Sequence, residues 1–288
     1  MSLDKKTVTL NNGVEMPWVG LGTWDQGEAA YTAATSALEA GYRAIDTGSF
    51  YQNEEDLGRA IADSDLPRKD IFVTTKVWNS EHGYDATLHS FDVSVSKLGL
   101  DVIDLYLVHW PVKDKYLETW RALEQLYRDG RVRAIGVSNF GVHHINALAE
   151  VSTVTPAVNQ IDLHPLKTQK ELVSFCQNRG IQVQAWAPLA QNTILEDPYL
   201  QDIASRHGKS VAQIVLRWHL QNGVLVIPKS SNPERIRQNI DVFDFNLDDK
   251  SMALIDGMDK NFHILGFEAD GLLPELHEAP VQPWAYSL

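Results

Sequence analysis

Short apolar segments alternate with amphipathic segments along almost the whole chain. Eight apolar segments have the length of β-strands, and most are followed by stretches with helical spacing of their apolar side chains. In residues 116–130, for example, Leu117, Trp120 and Leu123 fall on one helical face, and Gly130 ends the pattern. The eight predicted strands are residues 18–22, 43–46, 71–76, 102–109, 132–138, 157–162, 181–186 and 223–228.

This alternation predicts a fold of the α/β class. Strongly apolar strands between helices indicate a parallel sheet covered by helices, and eight such units predict a closed (β/α)8 TIM barrel. Residues 7–16 alternate around Asn-Asn-Gly, which predicts an N-terminal β-hairpin. Two extra helices are predicted at 195–208 and 210–223, before the last strand. We expect one domain over residues 1–288, with 265–288 as a C-terminal tail.

An open doubly wound sheet is the alternative fold. Its dinucleotide-binding fingerprint is Gly-x-Gly-x-x-Gly directly after the first strand. The chain offers Gly20, Gly22 and Gly27 at that point, so the third glycine is displaced. The number of strands and this imperfect motif favour the barrel.

Charge and cysteine content narrow the classes of partner. The formal net charge of −13 argues against a nucleic-acid surface and against an anionic membrane. Cys176 is the only cysteine, so an intrachain disulfide is excluded. The sequence has neither a signal-peptide pattern nor an apolar run of membrane-spanning length. We therefore expect a cytoplasmic protein that binds neither nucleic acid nor membrane.

Polar side chains end three consecutive predicted strands. Asp46 ends the second strand, Lys76 the third and His109 the fourth, while Tyr51 follows Asp46 by five residues. Asn53 is expected to cap the helix that follows Tyr51. Each residue alone has an ordinary explanation, such as a turn cap or a packed core side chain. In a barrel, however, the carboxyl ends of the strands carry the active site, so the set together predicts a catalytic site.

The chemistry of this set suits proton delivery to a carbonyl oxygen. A tyrosine with an ordinary pKa of about 10 is a poor acid, and a nearby lysine ammonium is expected to lower that pKa. Asp46 would keep a buried Lys76 charged, and His109 would donate a hydrogen bond to the substrate. A hydride source is then needed, and a nicotinamide cofactor is the simplest one. The pattern shows no Cys/His cluster for a metal.

A phosphate site is predicted after the last strand. Lys229 and Ser230 follow that strand, Asn232 and Pro233 start a helix, and Arg235 lies on its first turn. The free N–H groups of the helix start are expected to face an anion, at the place where barrels often bind phosphate. The alternative is an ordinary capped helix with a basic first turn.

An ordered set of motifs resembles the aldo-keto reductase family. The motifs are GLGTW, YRAIDTGSFYQNE, TTKVW, DLYLVHWP, IGVSNF, NQIDLHP, QAWAPL and IPKSSNPERIRQN. The resemblance runs from about residue 7 to about residue 258 and is greatest to prokaryotic 2,5-diketogluconate, glyoxal and methylglyoxal reductases. It departs from the family at Gly48, where alanine is usual, and at Ala187, where serine is common.

The resemblance implies an NADPH-dependent reductase of aldehydes and some ketones, acting as a monomer on a small carbonyl substrate. Its catalytic tetrad matches Asp46, Tyr51, Lys76 and His109. The implied cofactor contacts are Thr23, Trp24, Ser138, Asn139, Gln160, Trp186, Leu189, Lys229, Ser230, Arg235, Gln238 and Asn239. The implied walls of the substrate pocket are Trp24, Trp78 and Trp110, together with Trp18.

Two other functions are compatible with a barrel of this kind. A non-catalytic NADPH-binding barrel could act as a sensor or subunit, although it would not need the tetrad. A lyase or aldolase could use Lys76 as a Schiff-base nucleophile, although it would not need a phosphate clamp.

Overall fold

The computed structural model describes residues 6–265, so the predicted tail lies outside the described residues apart from Leu265. The strands are β1 (Thr7–Thr9), β2 (Glu15–Pro17), β3 (Leu21–Gly22), β4 (Ala44–Asp46), β5 (Phe72–Val77), β6 (Ile103–Val108), β7 (Val132–Ser138), β8 (Val158–Asp162), β9 (Gln182–Trp186) and β10 (Leu225–Val226). The helices are α1 (Ala30–Glu39), α2 (Glu54–Ala62), α3 (Tyr84–Leu98), α4 (Tyr116–Arg128), α5 (Val142–Val151), α6 (Lys170–Asn178), α7 (Pro198–His207), α8 (Val211–Gln221), α9 (Pro233–Ile240) and α10 (Asp249–Asp256).

Strands β3 to β10 form one parallel sheet in chain order, and this sheet closes on itself. The backbones of Val19 and Val226, and those of Gly22 and Lys229, form parallel bridges between the first and last strands. The Gly20 N–H donates to the Val226 carbonyl oxygen at 2.9 Å across this seam. The predicted barrel is confirmed and the open sheet is wrong. The two extra helices before the last strand are α7 and α8.

The N-terminal hairpin covers the amino end of the barrel. Strands β1 and β2 pair antiparallel, and Gly13 in the turn has a φ of +85°. The side chains of Asn11 and Asn12 donate to the carbonyl oxygens of Pro156 and Arg133, near the starts of β8 and β7. The hairpin therefore does not cover the opposite end of the barrel, where the strands finish.

Trp18 belongs to this amino end. Its backbone N–H donates to the carbonyl oxygen of Lys6, and its side chain lies in the core with 2% exposed. The expectation that Trp18 forms a pocket wall is therefore wrong, because the residue precedes β3 rather than following it.

The apolar pattern accounts for the core. All six residues of β5 and all six of β6 are buried, as expected for strands covered on both faces. The amphipathic face of α4 buries Trp120, Leu123 and Leu126 against the sheet. Within residues 6–265, no helix is both long and apolar enough to cross a bilayer.

Candidate active site

The structure brings Asp46, Lys76 and Tyr51 into direct contact at the carboxyl end of the barrel. The Lys76 ammonium lies in β5 with none of its side chain exposed. Its Nζ donates to Asp46 Oδ1 at 2.5 Å, to the Thr47 carbonyl oxygen at 2.7 Å and to Tyr51 Oη at 3.2 Å. Tyr51 reaches this point because a 3-10 turn, Ser49–Tyr51, bends the chain back after β4. Three of the four predicted side chains thus form one hydrogen-bonded unit.

His109 completes the group from the end of β6. Its ring packs edge-on against the rings of Tyr51 and Trp78, with centroids 5.7 and 5.0 Å apart. Burial, the charge of Lys76 and the neighbouring His82 hold the pKa of the His109 imidazole well below its usual value. His109 is therefore neutral near pH 7, and one of its ring nitrogens carries a proton to donate.

Burial decides the direction of the pKa shift for Asp46 and Tyr51, but not for Lys76. It raises the pKa of Asp46, although Lys76 and Gln160 both act to lower it. Burial also opposes the charge on Lys76, but Asp46 and Tyr51 outweigh it and the Lys76 pKa ends above its usual value. For Tyr51, burial outweighs the lowering effect of Lys76, so the pKa of the phenol is raised. The predicted lowering effect of Lys76 is present, but it does not set the net pKa, and Tyr51 holds its proton near pH 7.

Two glutamines extend the unit across the barrel, and sequence reasoning did not find this arrangement. Gln160 Nε2 donates to Asp46 Oδ2 at 2.7 Å and to Gln184 Oε1 at 2.8 Å. Gln184 is 2% exposed on β9, directly beside Gln160 on β8. A polar residue inside an otherwise apolar buried strand was the available signal for Gln184.

A second chain of hydrogen bonds joins residues beside Asp46 at the carboxyl end of the barrel, which we call the rim. Thr47 Oγ1 donates to Asn53 Oδ1 at 2.7 Å, and Asn53 Nδ2 donates to the Thr23 carbonyl oxygen at 2.8 Å. Thr23 Oγ1 then donates to the Asp46 carbonyl oxygen at 2.8 Å. Asn53 is therefore used inside the rim, and its predicted role as a side-chain helix cap is wrong. Thr23 is fully buried, with its hydroxyl turned toward Asp46 rather than outward.

Aromatic side chains lie beside the tetrad at His109. The rings of Phe50 and Trp78 stack with centroids 3.9 Å apart. Trp110, the next residue after His109, is buried. Trp24, which follows β3, is 42% exposed. A cavity of about 560 Å³ adjoins this group and is lined by Trp110, Trp186 and the loops that follow β7 and β8.

The residues predicted to hold a nicotinamide carboxamide lie on adjacent strand ends. Asn139 has a φ of +63°, and its Nδ2 donates to the His109 carbonyl oxygen at 3.0 Å. Trp186 Nε1 donates to Asn139 Oδ1 at 2.8 Å, while Ser138 Oγ donates to the Gln160 carbonyl oxygen at 2.9 Å. Leu189 follows β9 and is half-buried against the core. The strand ends therefore bring the predicted set together.

The predicted phosphate site lies beside the barrel seam. Lys229 Nζ lies 3.4 Å from Asp25 Oδ2, and Arg235 Nε donates to Ser230 Oγ at 3.4 Å. Asn232 Oδ1 accepts from the N–H groups of residues 234 and 235. The predicted cap is confirmed, but the expectation that those N–H groups are free is wrong.

Three further polar residues lie near the predicted phosphate site. Gln238 is exposed and donates to Glu234, whereas Asn239 is 5% exposed. Gln26, which sequence reasoning missed, donates from Nε2 to the carbonyl oxygens of Gly22 and Ser230, both at 3.2 Å. It ties the first loop of the barrel to the last. Across residues 6–265, no group of three or more His, Cys, Asp or Glu side chains is placed to hold a metal ion.

The comparisons with known proteins agree with this fold. Residues 18–260 match the aldo/keto reductase family. The chain is 50% identical to a glyoxal reductase of Bacillus subtilis over 271 residues, which is 93% of this chain and 98% of that protein. The family match covers the whole parallel barrel, from β3 to α10. The chain belongs to the aldo-keto reductase family.

Solved structures give the same result. An aldo-keto reductase from a Medee basin deep-sea metagenome library has a TM-score of 0.87 and 48% identity, covering 89% of this chain and 96% of that one. An aldo-keto reductase of Bombyx mori, solved in complex with NADP, has a TM-score of 0.86 and 39% identity, covering 90% of this chain and 94% of that one.

Gly48, which departs from the family pattern, has room for a side chain. A Cβ there would lie 3.5 Å from Lys76 Cβ and 3.7 Å from His109 Cε1, which are ordinary contacts. We expect Gly48→Ala to keep kcat within about twofold and to raise the free energy of unfolding by roughly 0.4–1 kcal/mol. Gly58→Ala is the contrasting control, because its Cβ would collide with the backbone of Leu98. Thermal unfolding of both variants checks this, and equal losses would contradict it.

Proposed function

We propose that the protein reduces aldehydes and some ketones to alcohols with NADPH. The observation that carries this proposal is the buried Lys76 ammonium, which contacts both the Asp46 carboxylate and the Tyr51 hydroxyl. A protonated phenol beside a fixed cation is suited to give up a proton where negative charge develops. The reductase relatives and the NADP complex of a structural neighbour support the same reaction.

When bound, NADPH supplies the hydride that reduces the carbonyl carbon. Tyr51 Oη donates its proton to the carbonyl oxygen, and the adjacent Lys76 ammonium stabilises the phenolate left behind. Asp46 keeps Lys76 charged and in place. His109 is neutral and donates a hydrogen bond that orients the carbonyl oxygen. Trp24, Trp78 and Trp110 would exclude water around the substrate.

The residues of the rim fit a dinucleotide that lies across the barrel. Ser138, Asn139 and Gln160 offer amide and hydroxyl groups for a carboxamide, and the Trp186 indole would stack on the ring. At the other end, Lys229, Ser230 and Arg235 surround the start of α9, with Lys229 and Arg235 exposed. Since the N–H groups at the start of α9 are already capped by Asn232, these side chains rather than the backbone would hold a 2′-phosphate.

Lys229 tests the preference for NADPH. We expect Lys229→Met to raise the Kd for NADPH by roughly tenfold or more, since a charge-assisted hydrogen bond to phosphate is lost. The Kd for NADH, which lacks the 2′-phosphate, should change by less than about twofold. Arg237→Met is the matched control, because Arg237 is exposed on α9 and paired with Glu234 at 3.0 Å. A similar loss for both dinucleotides would contradict the assignment of Lys229.

The pH dependence of reduction follows from the two pKa directions. Tyr51 acts in its protonated form, and its pKa is raised, so kcat should fall only as the pH rises above about 10. The pKa of His109 is lowered, so a change centred near its ordinary value of about 6.5 is not expected. Steady-state kcat across this range checks both, and an acidic loss centred near 6.5 would contradict the neutral state of His109.

The decisive experiment mixes the purified protein with NADPH and a panel of methylglyoxal, aromatic aldehydes, aldoses and keto-sugars. We expect loss of NADPH absorbance with stoichiometric alcohol formation, and the ranking of kcat/KM would identify the substrate class. Binding of NADPH without turnover of any substrate would contradict the proposal.

The two alternative functions fit the site less well. A sensor or subunit would not need the assembled tetrad, and the named relatives are reductases. A Schiff-base lyase needs an unprotonated lysine, whereas Lys76 is held charged by Asp46, with its pKa above the usual value. Borohydride should therefore not trap a substrate on Lys76.

We further propose that the protein acts as a cytoplasmic monomer. The net charge of −13 supports the monomer, because like charges oppose self-association. The single cysteine, which excludes an intrachain disulfide, is compatible with a reducing compartment. Sedimentation at micromolar protein would test the monomer, and cell fractionation would test the compartment.

A further inference from the structure

The Gln160 side chain lies between two hydrogen-bond acceptors. Its Nε2 donates to Asp46 Oδ2 at 2.7 Å and to Gln184 Oε1 at 2.8 Å. An amide nitrogen has two N–H groups, and an ionised carboxylate is only an acceptor. Both donors of Gln160 are therefore used inside the barrel. Its Oε1 is the atom left to accept from a further partner.

The two acceptors come from different sides of the barrel. Asp46 ends β4, and β8 with Gln160 lies four strands away in the sheet order. Gln184 lies beside Gln160 on β9, paired with it in the parallel register. A single hydrogen bond to Asp46 fixes the end of the amide but leaves its plane free to turn. The second bond, to Gln184, fixes the plane and so the direction of Oε1.

This direction matters for the proposed cofactor site. The side chains expected to contact the nicotinamide carboxamide are those of Gln160, Ser138 and Asn139. Ser138 is the last residue of β7, and Asn139 follows it. The Ser138 hydroxyl donates to the Gln160 carbonyl oxygen and accepts from Asn139 Nδ2 at 3.1 Å, and Asn139 Oδ1 accepts from Trp186. These contacts occupy atoms of both neighbours, so Gln160 Oε1 is the best placed acceptor for a carboxamide N–H.

We propose that Gln184 is a positioning residue that aims Gln160 Oε1 at the carboxamide N–H of the nicotinamide ring. Gln184 touches neither substrate nor cofactor and acts only through Gln160. The site then selects a pyridine 3-carboxamide over a ring analogue that has no N–H at that position. This inference rests on the proposed use of a nicotinamide dinucleotide.

The test compares NADP⁺ with 3-acetylpyridine adenine dinucleotide phosphate, in which a methyl group replaces the carboxamide NH₂. Quenching of tryptophan fluorescence gives both Kd values. We expect the wild-type protein to bind NADP⁺ roughly tenfold more tightly than the analogue, the value of about one well-placed hydrogen bond. Gln184→Met removes the acceptor at similar volume and should reduce that ratio to about two.

Two further variants separate positioning from general damage. Gln184→Glu keeps an acceptor at the same reach and should retain the wild-type ratio. Gln182→Met changes a half-buried glutamine at the start of β9, where it donates to the Gly223 carbonyl oxygen at 2.7 Å, and should leave the ratio unchanged. If Gln184→Met does not fold, Gln184→Thr, whose hydroxyl is too short to reach Gln160, takes its place.

The outcomes are distinguishable. A ratio that collapses only in Gln184→Met supports the proposal. A wild-type ratio near one, an unchanged ratio in Gln184→Met, or an equal weakening of both ligands would overturn it. Binding of 2′,5′-ADP, which carries the 2′-phosphate but no nicotinamide, should be the same in all variants. If the wild-type protein binds neither 2′,5′-ADP nor NADP⁺, the proposed function itself is wrong.

Discussion

Tyr51→Phe should lower kcat for aldehyde reduction by roughly a hundredfold to ten-thousandfold, the usual contribution of a positioned acid. The variant removes only the hydroxyl that contacts Lys76 Nζ at 3.2 Å. The phenyl ring can still pack edge-on against His109, so the shape of the pocket is kept. The Kd for NADPH should stay within about twofold, because the lost group lies away from the phosphate contacts at α9.

A matched control exists in Tyr31. Its hydroxyl donates to Asp63 at 2.8 Å, between α1 and the end of α2 in the outer helical layer. Tyr31→Phe should therefore leave kcat within about twofold of the wild-type value. Steady-state rates and fluorescence titration of NADPH measure both variants. Near-normal kcat in Tyr51→Phe would show that another group delivers the proton.

Lys76→Met should affect both stability and turnover. Removing the ammonium leaves the buried Asp46 carboxylate without its cation, and breaking a buried ion pair in this way costs roughly 3–5 kcal/mol of unfolding free energy. Turnover should also fall sharply, because the phenolate formed at Tyr51 loses its stabilising charge. Urea unfolding gives the first quantity and steady-state kinetics give the second.

The double variant Asp46→Asn/Lys76→Met separates the two effects. It removes both charges and keeps an amide that can accept from Gln160, so much of the lost stability should return. Turnover should not return with it. If the single and double variants were equally unstable, the cost would come from lost packing rather than from an unpaired carboxylate.

The fold could be predicted from sequence because its signal is repeated. The sequence has eight apolar segments of strand length, and the barrel was predicted from their number. The tetrad could also be predicted, since residues at the carboxyl ends of barrel strands lie at one end of the barrel, as Asp46 and His109 do. Trp18 was placed wrongly because it lies at the opposite end of its strand from that rim.

The hydrogen-bond partners of these side chains were harder to predict from the sequence. Asn53 is a common type of helix cap, but the Thr47 hydroxyl and the Thr23 carbonyl compete for its amide, and only the folded chain shows which contact forms. The contact between Gln184 and Gln160 could not be predicted, because it depends on the register between β8 and β9. The net pKa of Tyr51 needed the degree of burial, because the lysine effect and the desolvation effect oppose each other.

The contact between Lys229 and Asp25 has a consequence for how a phosphate would bind. This lysine already has an anionic partner at 3.4 Å, on the loop that follows the first strand of the barrel. An arriving phosphate would therefore exchange with a carboxylate rather than fill an unused cation. The free energy of phosphate binding would therefore include the loss of the exposed Lys229–Asp25 contact.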